Sequence, residues 1–305
     1  MSARWPFPGC QSPACKRRPD SGPGKSPHPA GTIDLNPLRT CLLLICLGAN
    51  LARADQLPLW EAGTGIGAAY LPHYRGSNQY RTWVLPLPYF VYRGKTVRVE
   101  ERRLRFGTDE VELDFSLNGS PPGKDNDARR GMPGLDATLE IGPSLNLLLF
   151  RSEDGLERLE LRLPARAAIA SDLSHFRHAG WIFQPGLNLN FRDVLGNRGW
   201  NLGLRGSVLY TDRRYNERFY AVDPVFATAD RPAFGSGGGY AGTQVTATAS
   251  KRYPDFWVGG FTRWDSVAGA VFSDSPLVKA EHNFTAGFAI AWILGKSSAN
   301  AESPD

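Results

Sequence analysis

In segment after segment of this chain every second side chain is large and apolar, while the one between is small, polar or charged. In EVELDFSLN, residues 110–118, Val111, Leu113, Phe115 and Leu117 alternate with Glu110, Glu112, Asp114, Ser116 and Asn118. In RLELRLPARAAI, Leu159, Leu161, Leu163, Ala165, Ala167 and Ile169 alternate with Arg158, Glu160, Arg162, Pro164 and Arg166. GWIFQPGLNLNFR sets Trp181, Phe183, Leu187, Leu189 and Phe191 against Gln184, Gly186, Asn188, Asn190 and Arg192. In TAGFAIAWIL, residues 285–294, Ala286, Phe288, Ile290 and Trp292 form one row, and Thr285, Gly287, Ala289 and Ala291 the other. A period of two belongs to strands with two unlike faces, and helical periodicity is nearly absent. A soluble sandwich would also alternate, so the connections have to decide.

The connections alternate between tight and long. Tight ones are GTDE (107–110), SEDG (152–155), DVLGN (193–197) and RYPD (252–255). Between them come NGSPPGKDNDARRGMPGL from Asn118, SDLSHFRHAG from Ser171, the stretch from Thr211 to Gly239, and SVAGAVFSDSPLVKAEH from Ser266. Short turns on one rim and long loops on the other are the pattern of outer-membrane barrels, with the apolar row facing lipid and aromatics near the strand ends. The expected fold is all-β, a transmembrane antiparallel β-barrel of about 12 strands. The alternative is 10, depending on whether KTVRVEERRLRFGT supplies a pair of short strands. No apolar run in the mature portion approaches the length of a membrane helix.

The bulk charge supports export. RTCLLLICLGANLARAD supplies a basic Arg39, an apolar core from Cys41 to Leu47 and a small-x-small pair, Ala52 and Ala54, predicting cleavage before Asp55. The domain plan is therefore a removed Pro-rich extension plus signal peptide (1–54), a barrel (55–294) and a polar tail (295–305). Removing 1–54 takes away 7 of 35 Lys+Arg and 2 of 30 Asp+Glu, leaving 28 of each. The net charge of +5 thus vanishes, and with it the case for nucleic acid. Cys10, Cys15, Cys41 and Cys46 all precede the cut, so the mature chain has no disulfide or thiolate metal site.

Little in the chain points to catalysis. Gly63, Gly65 and Gly67 of GTGIGAAY alternate strictly, which suits a glycine-lined lumen face rather than a phosphate-cradling turn. His175 and His178 of HFRH are three apart in a non-helical stretch, a spacing that does not aim both rings at one ion; His73 and His282 stand apart from them. Ser236 in FGSGG lacks the nucleophile-elbow pattern. No catalytic, cofactor-binding or metal-ligating residue is assigned, and neither cofactor nor small-molecule substrate is expected.

The inward-facing charges are the strongest polar feature: Arg98, Arg103, Arg105, Glu110, Glu112 and Asp114, then Glu140, Arg158, Glu160, Arg162 and Arg166. They could line a selective pore or pair with one another in a plugged lumen. Balanced signs on neighbouring strands favour pairing, because an ion-selective pore shows one sign in excess. The aromatic loop 211–239 could form a surface recognition element or fold inward as a cap.

Four blocks resemble the MipA/OmpV family: YLPHYRGSNQYRTWVLPLPYFVYRG (70–94), LDFSLNGSPP (113–122), ARRGMPGLDATLEIGPSLN (128–146) and AGAVFSDSPLVKAEHNFTAGFAIAWIL (268–294). Thr285, Gly287, Ile290 and Trp292 also resemble the carboxy-terminal signal read by the outer-membrane assembly machinery, although here 13 residues follow Trp292. The resemblance implies a non-enzymatic outer-membrane barrel in contact with outer-membrane lipid in a Gram-negative bacterium. The family is named after a member that scaffolds a lytic murein transglycosylase and a penicillin-binding murein synthase; other relatives are similar to surface antigens or adhesins. The expected function is a scaffold or interaction protein for murein enzymes, with a small-solute channel or an adhesin as alternatives.

Overall fold

A computed structural model describes residues 58–93, 98–100, 103–107, 111–123, 125–172, 174–194 and 199–299, with the backbone alone described at 98–100 and 103–107. All lie in the unit Asp55–Asp305. The expected leader with its cleavage point, the four cysteines and Glu110 lie outside the described residues. So do the side chains of Arg98, Arg103 and Arg105.

Among the described residues thirteen strands follow in order: β1 (Trp60–Pro72), β2 (Tyr80–Arg93), β3 (Arg98–Glu100), β4 (Arg103–Gly107), β5 (Val111–Ser120), β6 (Ala137–Arg151), β7 (Glu157–Ser171), β8 (Phe176–Phe183), β9 (Gly186–Phe191), β10 (Trp200–Thr211), β11 (Gly239–Arg252), β12 (Phe256–Ser266) and β13 (His282–Lys296). One short helix, α1 (Arg213–Tyr220), lies between β10 and β11. Apart from β8 and β9, which do not pair with each other, each strand pairs antiparallel with its neighbours in sequence, and β13 pairs with β1 from Lys296↔Glu61 to Ala286↔Tyr70. That seam closes the sheet into a barrel. β8 and β9 both pair with β7 and with β10, so they fill successive stretches of one position, interrupted at Gln184 and Pro185.

The alternation read from the sequence is the alternation of the wall. Val111, Leu113, Phe115 and Leu117 are exposed on the outside of β5, whereas Glu112 and Asp114 are buried within. On β13, Phe284, Phe288 and Trp292 face out and Asn283, Thr285 and Ala291 are buried. Aromatic side chains mark both ends of the apolar band. Tyr70 stacks on Tyr80 at 4.8 Å and Tyr210 meets Tyr240 edge-on at one rim; at the other Tyr253 stacks on Phe256 and the Lys251 ammonium sits over Trp200. Ten residues separate Trp60 from Tyr70 on β1, or about 33 Å of strand at ~3.3 Å per residue. Tilted by about 40°, that spans roughly the 25 Å apolar band of such barrels.

Two departures from the sequence reading concern the long-loop rim. Strand β8 begins at Phe176, which shortens the expected loop after Ser171 and places His178 on a strand. In the loop 211–239, Asp212 caps α1, its carboxylate accepting from Tyr215 N at 2.9 Å. Gly180 on β8 makes room for that cap: its φ is +120°, a left-handed value that favours glycine, and a Cβ there would lie 2.3 Å from an Asp212 carboxylate oxygen. β13 also runs two residues past the expected end of the barrel, to Lys296.

If the outer row faces hydrocarbon, Leu145→Arg on the outer face of β6 costs about 2–4 kcal/mol of folding stability in lipid vesicles. Equilibrium unfolding in urea, followed by tryptophan fluorescence, reads that loss; an unchanged midpoint would contradict the assigned orientation.

Candidate functional site

The chemistry of this chain is concentrated inside the barrel and in the loops over one mouth. The inner charges on β5, β6 and β7 meet because the register aligns Glu112, Asn146 and Arg162 across the three strands, with Asn146 on β6 in the middle. Arg162 pairs with Asp114 at 2.9 Å and donates to Asn146 Oδ1 at 3.1 Å. Arg166 pairs with Glu140 at 3.1 Å, and Arg158 with Glu112 at 3.3 Å and Glu160 at 2.7 Å. All seven of these sequence-assigned charges therefore point inward and have partners. Buried charges require this, since an isolated ion away from water is costly.

The pairs extend into a polar belt near the long-loop rim. Arg166 donates to Gln184 Oε1 at 2.6 Å, and Gln184 donates to Ser207 Oγ at 3.0 Å and Gln244 Oε1 at 2.9 Å. Gln244 then donates to Asp265, which is fully buried between Arg75 at 3.2 Å and Arg263 at 2.8 Å. The belt thus runs from β6 round to β12 and the loop after β1. Near the short-turn rim, fully buried Glu61 gathers Arg93, Arg252 and the Tyr89 hydroxyl. Arg75, Asp265 and Glu61 were not singled out from sequence. Each lies near a strand end, where alternation is shortest and only the register reveals its partners.

Above the belt the long loops pack into a dome. Tyr220 at the end of α1 stacks on Phe272 with ring centroids 3.6 Å apart, and its backbone carbonyl accepts from Ser275 Oγ at 2.6 Å. Phe219, Leu135, Val267 and Tyr74 belong to the same buried cluster. Tyr74 donates to Leu277 O at 2.7 Å, and burial pushes its phenol up to about 12. Tyr215 reaches from α1 toward the lumen and donates to Glu140 Oε1 at 3.1 Å, tying the dome to the belt. Asn283 joins β13 to the loop after β1, accepting from Gly76 N at 2.6 Å and donating to Ser77 O at 2.7 Å. Of the two roles open to loop 211–239, its first half folds inward.

The remaining sequence candidates are placed simply. Gly63, Gly65 and Gly67 line the inner face of β1, with the Leu87 side chain lying over Gly67. His178 Nδ1 is 3.2 Å from an Arg214 Nη, and Ser236 Oγ donates to Gly237 O at 3.2 Å. Among the described residues no group of three or more His, Cys, Asp or Glu is arranged to hold a metal ion.

The family model described as MltA-interacting protein MipA matches residues 64–294, from the glycine-lined face of β1 almost to the end of β13. The chain belongs to the MltA-interacting protein MipA family. No curated protein matches it. Among solved structures, the chain is similar to a bacterial polysaccharide outer membrane secretin, with 9% identity over 79% of this chain and 99% of that one and a TM-score of 0.38. Within the MipA family match lie β2 to β12, most of β1 and β13, the polar belt and the dome.

Because Arg166 and Glu140 neutralise one another inside the lumen, removing one partner is worse than removing both. Arg166→Met is expected to cost about 3–5 kcal/mol, and adding Glu140→Leu to recover a large part of it. A double-mutant cycle by urea unfolding in vesicles measures the coupling; strictly additive losses would contradict the pairing.

Proposed function

We propose that this protein is a non-enzymatic interaction protein of the outer membrane, exported by its signal peptide, that scaffolds murein-hydrolysing and murein-synthesising enzymes on the periplasmic side. The observation that carries this reading is the dome. With α1 turned inward and Phe219 and Tyr220 packed against Tyr74 and Phe272, the long-loop mouth is filled by protein. A barrel filled at one mouth suits binding at a rim better than passage of solute. Membership in a family named for interaction with MltA, a lytic transglycosylase, points to an enzyme of that class as the partner.

Outer-membrane barrels turn their short connections to the periplasm, which assigns docking to the rim carrying residues 152–156 and 253–255. The first and last described segments meet at that rim: Leu59 N donates to Ala299 O at 2.8 Å, and Ser297 N to Trp60 O at 2.9 Å. The turn 152–156 is exposed and held open by its own hydrogen bonds, with Asp154 accepting from Leu156 N at 3.0 Å. It is a firm, accessible feature on which a partner can dock.

The expected result is that an immobilised lytic transglycosylase retains the folded barrel. Replacing Glu153 and Asp154 by alanine should weaken retention at least several-fold, while substitutions at Val225 and Asp230 on the opposite rim should leave it unchanged. Absence of binding by folded protein, or loss through the long-loop substitutions alone, would overturn the assignment.

A further inference from the structure

The dome contains a second feature, independent of the scaffold reading: a cavity of about 780 Å³ between α1, the loop 129–136 and the upper end of β8. Five arginines line it, namely Arg129, Arg177, Arg213, Arg214 and Arg218. Its carboxylates are Asp136, Glu217 and Asp223. Asp136 is already engaged by Arg177 at 2.7 Å, with Arg218 at 3.9 Å, and Glu217 by Arg213 at 2.6 Å. Positive charge is in excess.

Arg129 is the most telling member. It is 8% exposed, yet its hydrogen bonds go to backbone carbonyls alone: Phe219 O at 2.9 Å and Pro133 O at 3.4 Å. Its Nε is buried without a hydrogen-bond partner, as is the Nε of Arg218. Arg231 beside them is likewise held by carbonyls, those of Ala128, Arg130 and Phe226. Burial, with Arg218 and Arg231 as like charges close by, lowers the proton affinity of Arg129. A buried guanidinium that lacks a carboxylate is costly unless an anion completes it, and its planar fork of donors matches phosphate and carboxylate oxygens.

The size of the cavity narrows the ligand. It falls within the ~300–1,000 Å³ range of small-molecule sites and is far roomier than a single inorganic anion needs. The position narrows it further, because the pocket opens on the long-loop rim, which in such barrels is external and at headgroup level. We propose that this pocket binds a saccharide carrying phosphate or carboxylate groups, its anionic groups held by Arg129 and Arg218 and its approach favoured by Arg177, Arg213 and Arg214. The source is either the headgroup of an outer-leaflet glycolipid or a soluble acidic sugar.

The test is titration of the full folded protein in detergent by calorimetry, with glucose 1-phosphate, glucose and inorganic phosphate as separate probes. A parallel arm measures capture by vesicles with and without a phosphorylated glycolipid. Saturable binding of glucose 1-phosphate, or capture only by the glycolipid vesicles, supports the proposal and distinguishes the two sources. Binding should fall at least tenfold in Arg129→Gln and Arg218→Gln. Arg213→Glu, at a largely exposed position, should weaken binding and steepen nothing in folding, so that a loss there cannot be ascribed to a collapsed dome. No binding of any anionic probe by folded protein would overturn the proposal. So would equal affinity for glucose and glucose 1-phosphate, for inorganic phosphate and the sugar phosphate, or for the parent protein and all three variants.

Discussion

Hydrocarbon offers no hydrogen-bond partners, so a sheet can cross it only if its edges are joined. Everything else in this molecule depends on the seam between β1 and β13, which brings together the first and last strands of the barrel in register from Glu61 and Lys296 to Tyr70 and Ala286. The seam is made of small residues. Gly63 and Gly65 pack so closely against β13 that a Cβ on either would lie within about 2.3 Å of a backbone oxygen. The same constraint explains the prolines of β2. β1 holds β2 in a continuous ladder, while among the described residues β3 pairs with β2 only at Tyr92 and Arg93. Pro86 and Pro88, two apart, both lack a donor on the same edge of β2, which an edge with little pairing tolerates.

Once the wall is closed, its inner surface has to be made self-sufficient. Arg166 with Glu140 does this on neighbouring strands, and Arg162 with Asp114 does it across the intervening β6. Gln184 carries the network onward from Arg166 to Gln244. It can do so because Gln184 and Pro185 interrupt the strand between β8 and β9, freeing a side chain to serve β7 and β11 together. The dome rests on this network through Tyr215 and Glu140. Lumen and cap are therefore one connected construction, and a charge change at Glu140 is felt by α1.

The sequence made the wall legible because alternation is a local property. β5 and β7 each lie within two residues of where their alternation places them. The inward direction of Glu112, Asp114, Glu140, Arg158, Glu160, Arg162 and Arg166 followed from the same parity. Partner identity did not, since Asp265 meets Arg75 across 190 residues and parity says nothing about distance along a strand. The helix α1 was also hidden: eight residues make barely two turns, and RRYNERFY carries its apolar groups mostly at one end. Its clearest local signal is Asp212 in the capping position, which became readable only once Gly180 was seen to leave space for it.

The central claim is that the long-loop mouth is filled and that the protein acts by contact rather than by conduction. Single-channel recording of the folded protein in planar bilayers tests it most directly. The account predicts no steady conductance from the intact chain, with steps appearing when α1 and its flanking loop are shortened. Steady single-channel steps from the intact protein would contradict it.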